Sequence, residues 1–212
     1  MKPSTLTRFD VQGAAGRIEV RLNDPGEARR GIALVAHPHP LFGGTSENKV
    51  VTTLARVLFD AGFVVARPNF RGVGESEGAH DEGVGETDDL VQVLAALRAR
   101  YGALPWVLAG FSFGGFVASR VAERTADSGE PCALLLLVAP AVSRFAVGTV
   151  AESTVVIHGE DDDVVPLQAV LDWARPQELP IVLVPGAGHF FHGKLTVLAR
   201  LARRALAGAA RE

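Results

Sequence analysis

The chain has 212 residues, 48% of them hydrophobic and 21% charged, with one cysteine and a formal net charge of −3. That length fits one domain spanning 1–212, the apolar content excludes disorder through its bulk, and a lone cysteine excludes an internal disulfide framework. The charge leaves no basic footprint for nucleic acid or an anionic membrane, and it suits a small, largely uncharged substrate.

Residues 1–5 lead into polar sequence without the apolar stretch of a signal peptide. The longest apolar run, 132–142, is broken by Pro140 and is too short to span a bilayer, so the expected location is the cytoplasm. Phe9 and Val11, then Gly13 to Gly16, then Ile18, Val20 and Leu22 alternate as a β-hairpin turning at the glycines. Asn23-Asp24-Pro25-Gly26 closes it as a turn.

From there the pattern changes. Residues 31–36, 63–66, 106–109, 133–139, 154–157 and 181–184 are short, continuous apolar runs, the signature of strands buried on both faces of a parallel sheet. Between them lie helical spacings. Val50, Leu54, Val57, Leu58 and Ala61 mark one helix, with Ser46 as its expected N-cap. Leu90, Leu94, Leu97 and Tyr101 mark another, expected to begin at Thr87-Asp88-Asp89. Shorter helices are expected over 114–123 and 167–174, and a last one over about 194–207. This alternation predicts an α/β fold with a mostly parallel sheet and an antiparallel hairpin at one edge.

The most specific feature is Gly110-Phe111-Ser112-Phe113-Gly114-Gly115, set between an expected strand and an expected helix. G-x-S-x-G in that context is a nucleophile elbow. A tight, strained turn lifts the serine above the sheet, and side chains two positions to either side would collide, hence Gly110 and Gly114. The turn also leaves the Phe113 N–H at a helix N-terminus, free to bind developing negative charge.

A serine hydroxyl needs a base, and the base needs an orienting acid. In the usual chain order both lie downstream. The 154–157 run leads into His158-Gly159-Glu160-Asp161-Asp162-Asp163, and the 181–184 run into Pro185-Gly186-Ala187-Gly188-His189. Ser112, one of the acids 160–163 and His189 are thus expected on three loops at the carboxyl edge of one sheet. His192 is the rival base. His37 and His158 read as buried structural residues. His37-x-His39 begins no zinc motif, so neither a metal nor a cofactor is expected.

These motifs resemble the α/β-hydrolase superfamily, and within it a compact, lidless bacterial group of serine hydrolases. The resemblance rests on His37-Pro38-His39-Pro40-Leu41-Phe42-Gly43-Gly44, Asn48-Lys49-Val50-Val51, Asn69-Phe70-Arg71-Gly72-Val73-Gly74-Glu75-Ser76 and the elbow. It implies a three-layer fold with helices on both faces of the sheet. The superfamily pattern G-x-x-D-x-x-x-P falls on 159–166 and selects Asp162 as the acid, and the histidine after the last strand is His189. The second oxyanion donor comes from the loop after the first parallel strand. Pro38 and Pro40 have no N–H, so the donor there is His39 or Leu41, and the superfamily's H-G-x places it at His39. The 69–76 loop is expected to be structural.

Residues 141–153 are too few to hold a cap domain, which predicts an open site. Leu41, Phe42, Phe113, Val164, Phe190 and Phe191 flank the expected triad as candidate pocket walls. The resulting expectation is a serine hydrolase, foremost a carboxylesterase acting on a small-molecule, short-acyl ester. Thioesterase, amidase or peptidase action would use the same triad. A non-catalytic binding protein of this fold is the alternative of another class.

Overall fold

A computed structural model describes residues 6–209, so the reading of residues 1–5 lies outside the described residues. The hairpin comes first: β1 (Leu6–Gly13) and β2 (Gly16–Asn23) pair antiparallel, in register from Leu6 with Asn23 to Gly13 with Gly16. Then come β3 (Gly31–Ala36), β4 (Phe63–Pro68), β5 (Trp106–Phe111), β6 (Leu134–Val138), β7 (Val155–Gly159) and β8 (Ile181–Val184). The sheet order is β1-β2-β4-β3-β5-β6-β7-β8. β2 joins β4 antiparallel, and every neighbouring pair from β4 to β8 is parallel.

The helices are α1 (Lys49–Asp60), α2 (Val84–Tyr101), α3 (Phe113–Asp127), α4 (Leu167–Ala174) and α5 (Leu195–Ala209). Successive side chains of a buried strand serve opposite faces. Ile32, Leu34 and Ala36 of β3 therefore pack with Leu90 of α2, Val117 of α3 and Val170 of α4. Ala33 and Val35 pack instead with Leu54 of α1 and Leu198 of α5. Such strands cannot alternate polar and apolar, which is why they read as unbroken apolar runs. Between β6 and β7 there is neither helix nor strand, so no cap domain covers the carboxyl edge.

Three expectations change. The N-cap of α1 is Asn48, whose side chain accepts the Val50 N–H at 2.9 Å. Ser46 is instead buried, with its N–H on the Asn69 side chain and its carbonyl on Arg67. Helix α2 starts at Val84, a turn before 87–89, because the buried Glu86 carboxylate reaches back to the N–H groups of Gly83 and Asp81. β8 is an edge strand, and Val182 and Leu183 are exposed.

The close approach of backbones around β5 gives a direct test. A Cβ on Gly114 would collide with the carbonyl oxygens of Ala36 and His37, whereas one on Gly148 would meet nothing within 4 Å. Gly114→Ala should cost about 3 kcal/mol or more, at or beyond the upper end of ordinary overpacking. Gly148→Ala should leave stability nearly unchanged in the same urea titration, and equal midpoints for the two variants would contradict the crowding.

Candidate active site

Ser112 joins β5 to α3 with φ 56° and ψ −118°, a left-handed backbone that a non-glycine residue adopts only under constraint. Its neighbours supply the constraint. The Ser112 N–H donates to Val138 O at 2.9 Å, and its carbonyl accepts from Gly115, Phe116 and Ala141. A Cβ on Gly110 would strike the Gly114 carbonyl, so both glycines around the serine are required by space. The Phe113 N–H stands at the first position of α3, where no intrahelical acceptor exists.

The loops after β7 and β8 bring Asp162 and His189 to this turn. His189 Nε2 lies 3.0 Å from Ser112 Oγ, and His189 Nδ1 lies 2.8 Å from Asp162 Oδ2. All three residues are buried. Asp162 Oδ1 accepts the N–H groups of Val164 and Val165 at 3.0 and 2.7 Å. Burial pushes the Asp162 carboxyl up. The hydrogen bonds from His189 and Val165, with the charges of His189 and His158, outweigh it and hold the group below its ordinary value. An anionic Asp162 fixes the tautomer with the proton on Nδ1, which turns the Nε2 lone pair toward the serine hydroxyl.

The remaining sequence candidates sort clearly. Of the other acids at 160–163, Glu160 accepts the Gly186 N–H and so ties the two loops together. His192 is exposed on the far side of Phe190. His158 is buried with Nε2 3.0 Å from Val165 O, bracing the loop that carries Asp162. His37 Nε2 accepts the Phe70 N–H at 2.9 Å and its Nδ1 lies 2.6 Å from Pro38 O, so both ring nitrogens are committed and neither is free for a metal. The 69–76 loop is a structural clamp. Asn69 bridges Ser46 N–H and Glu19, Ser76 Oγ bridges Asn69 O and Glu19 N–H, and Arg71 forks onto Asp89.

In the loop after β3, His39 Nδ1 accepts the Leu41 N–H at 3.3 Å, which occupies one of the two possible donors. The His39 carbonyl accepts from Phe42 and Gly44, and the ring packs at a tilt against Phe113 with centroids 4.8 Å apart. A Cβ at Gly44 would strike the Pro38 carbonyl. Gly44 is thus a further requirement of this loop, legible only as the second of two adjacent glycines.

Ser112 and His189 open into a cavity of about 290 Å³ whose walls include Phe42, Val164, Phe190 and Arg144. Three expected wall residues lie elsewhere. Leu41 points to solvent at 70% exposure, and Phe191, at φ 53°, turns into the core beside α5. Phe113 is also fully buried and supports His39 from beneath. Sequence reasoning missed Arg144. A larger cavity, about 560 Å³, lies between α1 and α5 and contains none of Ser112, Asp162 or His189. Among the described residues, no group of three or more His, Cys, Asp and Glu could hold a metal ion, and no helix is long and apolar enough to cross a membrane.

Comparison with known proteins bears on the family and the fold. The family model described as alpha/beta hydrolase fold matches residues 39–147. The chain is similar to the crystal structure of an α/β serine hydrolase without lid from Xanthomonas campestris, with TM-score 0.86 and 36% identity over 97% of this chain and 95% of that one. It is also similar to an α/β serine hydrolase homologue from Coxiella burnetii, with TM-score 0.86 and 38% identity over 97% of this chain and all (100%) of that one. An uncharacterized protein of Rickettsia prowazekii is 33% identical, covering 89% of this chain and 84% of its own. The chain belongs to the α/β hydrolase family and shares the lidless architecture of the Xanthomonas campestris neighbour.

The buried histidines set a pH dependence. Burial lowers His37 to about 4, and it lowers His158 as well. The unfolded chain therefore binds protons that the folded chain refuses between about pH 6.5 and 4. Stability should be full above pH 6.5 and fall as pH drops toward 4, with a slope of roughly one proton for each such histidine. Urea midpoints at pH 7.5 and 4.5 measure it, and equal midpoints would contradict neutral burial of His37.

Proposed function

We propose that this α/β hydrolase is a serine carboxylesterase acting on small or short-acyl esters. The observation that carries the proposal is His189, in hydrogen-bond reach of Ser112 on one nitrogen and of Asp162 on the other. In this reading Ser112 Oγ attacks the ester carbonyl while its proton passes to His189 Nε2. Asp162 stabilises the resulting imidazolium. As the tetrahedral intermediate collapses, His189 returns the proton to the leaving alcohol and an acyl-serine remains. Water then attacks the acyl-serine with His189 as base, which releases the acid and restores the hydroxyl.

The oxyanion of each tetrahedral step is assigned to the N–H groups of Phe113 and His39. Phe113 contributes a helix N-terminal donor. His39 is preferred over Leu41 because the Leu41 N–H already has an acceptor in the His39 ring. The cavity volume supports a small substrate, since it sits at the lower limit for sites of drug-sized ligands, about 300 Å³. The same groups would cleave a thioester or an amide. The open site, without a cap to hold a longer substrate, supports the short-acyl part of the reading.

Ser112→Ala should fold normally and lower turnover of a p-nitrophenyl ester by about 10⁴–10⁶-fold. A fluorophosphonate probe should label the wild type at Ser112 and spare the variant. An unlabelled wild type would mark a binding protein, and an active Ser112→Ala would remove the nucleophile assignment.

The His39 donor has its own test. Its φ of −54° is one that proline can adopt, so His39→Pro deletes the N–H with little change of backbone. His39→Ala loses the ring and keeps the N–H. The proline variant should be slower than the alanine variant in kcat by about 10²–10³-fold, the effect of one oxyanion donor. Equal rates would move the donor elsewhere.

A further inference from the structure

The charge of the cavity is not the charge of the chain. The chain carries a net −3, yet the lining of the Ser112 cavity contains no carboxylate, and its one permanently charged side chain is Arg144. Arg144 lies on the uncapped segment between β6 and β7, with its guanidinium 5.7 Å from the centre of the Phe42 ring. That cation–π contact holds the group at the rim of the cavity without neutralising it.

Several other arginines of this protein are neutralised within the fold, whereas Arg100 and Arg120, like Arg144, show no ion pair among the described residues. Arg21, Arg71, Arg98 and Arg124 each meet a carboxylate of the fold. Among the described residues Arg144 has no such ion pair, and no carboxylate lies within 4.0 Å of it. Glu86, the buried acid near the His39 ring, is committed to His80 and to the N–H groups of Asp81 and Gly83. A shallower cavity adjoins the first through Gly43, Asn48 and Phe190. It adds the cation Lys49, and its one carboxylate, Glu47, is paired with Arg21 at 3.3 Å. His39 registers the local field. Burial lowers its pKa first; the charges of His80 and Arg144 lower it further, while those of Glu82 and Glu86 raise it.

An unpaired guanidinium beside a reactive serine offers a planar fork of donors that suits a carboxylate or a phosphate. We propose that Arg144 makes this site selective for esters that carry an anionic group, carboxylate or phosphate, in addition to the ester that is cleaved. The inference rests on the serine-hydrolase reading of the same site. Arg144 acts here as a specificity residue. It binds the far end of the substrate, while Ser112 and His189 carry the chemistry.

The experiment compares esters that share an acyl group or a chain length and differ in charge, with each variant's ratio read against the wild type so that intrinsic leaving-group reactivity cancels. Three acetate esters share one acyl group: 4-acetoxybenzamide is neutral, 4-acetoxybenzoate carries a carboxylate, and 4-acetoxyphenyl phosphate carries a phosphate. A second pair, the 4-nitrophenyl esters of hexanoate and of hydrogen adipate, places the charge on the acyl side. The readout is the ratio of kcat/KM, charged over neutral, after subtraction of spontaneous hydrolysis. The wild type should favour the anionic member of at least one set by tenfold or more, and the phosphate arm tells which anion fits better. Arg144→Gln should bring that ratio down at least tenfold, Arg144→Glu should lower it further, and Arg144→Lys should retain part of it. Added salt should lower the wild-type ratio.

A ratio near one in the wild type, or a ratio unmoved in Arg144→Gln, would overturn the inference while leaving the hydrolase reading intact. Failure to cleave any of these esters, with Ser112 unlabelled by a fluorophosphonate, would overturn the hydrolase reading and the inference with it. Arg144 is exposed, so its variants should melt with the wild type, and the ratio is read on folded protein.

Discussion

Everything at the carboxyl edge of this sheet depends on how closely the backbone can fold on itself after β5. The chain must turn from strand to helix within one residue, and Ser112 is that residue. Its left-handed φ costs on the order of 1–3 kcal/mol. The turn persists because its backbone groups are tied on both sides: the N–H to β6, the carbonyl to the first turn of α3 and to Ala141. Gly110 and Gly114 let the strand, the helix and the end of β3 come within a distance that no side chain would allow. The same crowding fixes the loop after β3. His37 and Pro38 are therefore set against the elbow before any substrate arrives.

Four histidines near this edge have four fates, and their partners decide which. His37 is sealed in the interior and spends both ring nitrogens on backbone groups. His158 is equally buried and braces the loop of Asp162. His39 lends a ring nitrogen to the Leu41 N–H and packs on Phe113. His189 alone among them stands between a carboxylate and a hydroxyl. Residue type thus set the inventory of possible bases, while neighbouring donors and acceptors left one in a position to move a proton.

The strands, the mostly parallel sheet with its edge hairpin and the three loops at its carboxyl edge were legible in the sequence, because unbroken apolar runs and glycine spacing follow from burial and steric crowding; within the second loop it was the family resemblance that singled out Asp162. What was not legible depended on partners distant in sequence. Ser46 and Asn48 are both good capping types, and the choice between them was made by Asn69, which takes the Ser46 N–H. The start of α2 was set by Glu86 reaching backward, so the acidic residues at 88 and 89 gave a false boundary. Phe190 and Phe191 look alike in sequence, but the positive φ at Phe191 sends one ring to the cavity and the other into the core. Leu41 was read as a wall from its place beside the oxyanion loop. The single 3₁₀ turn at Pro40–Phe42 leaves both side chains exposed, and of the two only Phe42 lines the cavity.

The absence of a cap has a structural consequence beyond openness. In its place a short irregular segment runs from β6 toward β7 and becomes one wall of the site. It is not loosely attached: the Ala141 N–H bonds to the Ser112 carbonyl, and the Ala141 carbonyl in turn accepts the N–H groups of Arg144 and Phe145. Phe145 stacks on Phe116 of α3 and meets Phe113 edge-on. The segment that positions Arg144 is therefore anchored to the same turn that positions the serine. In the proposed reading, the backbone that carries Arg144 is already constrained by the turn that carries Ser112, so an anionic substrate group would meet its partner without rearrangement of that segment, and the selectivity would need no lid.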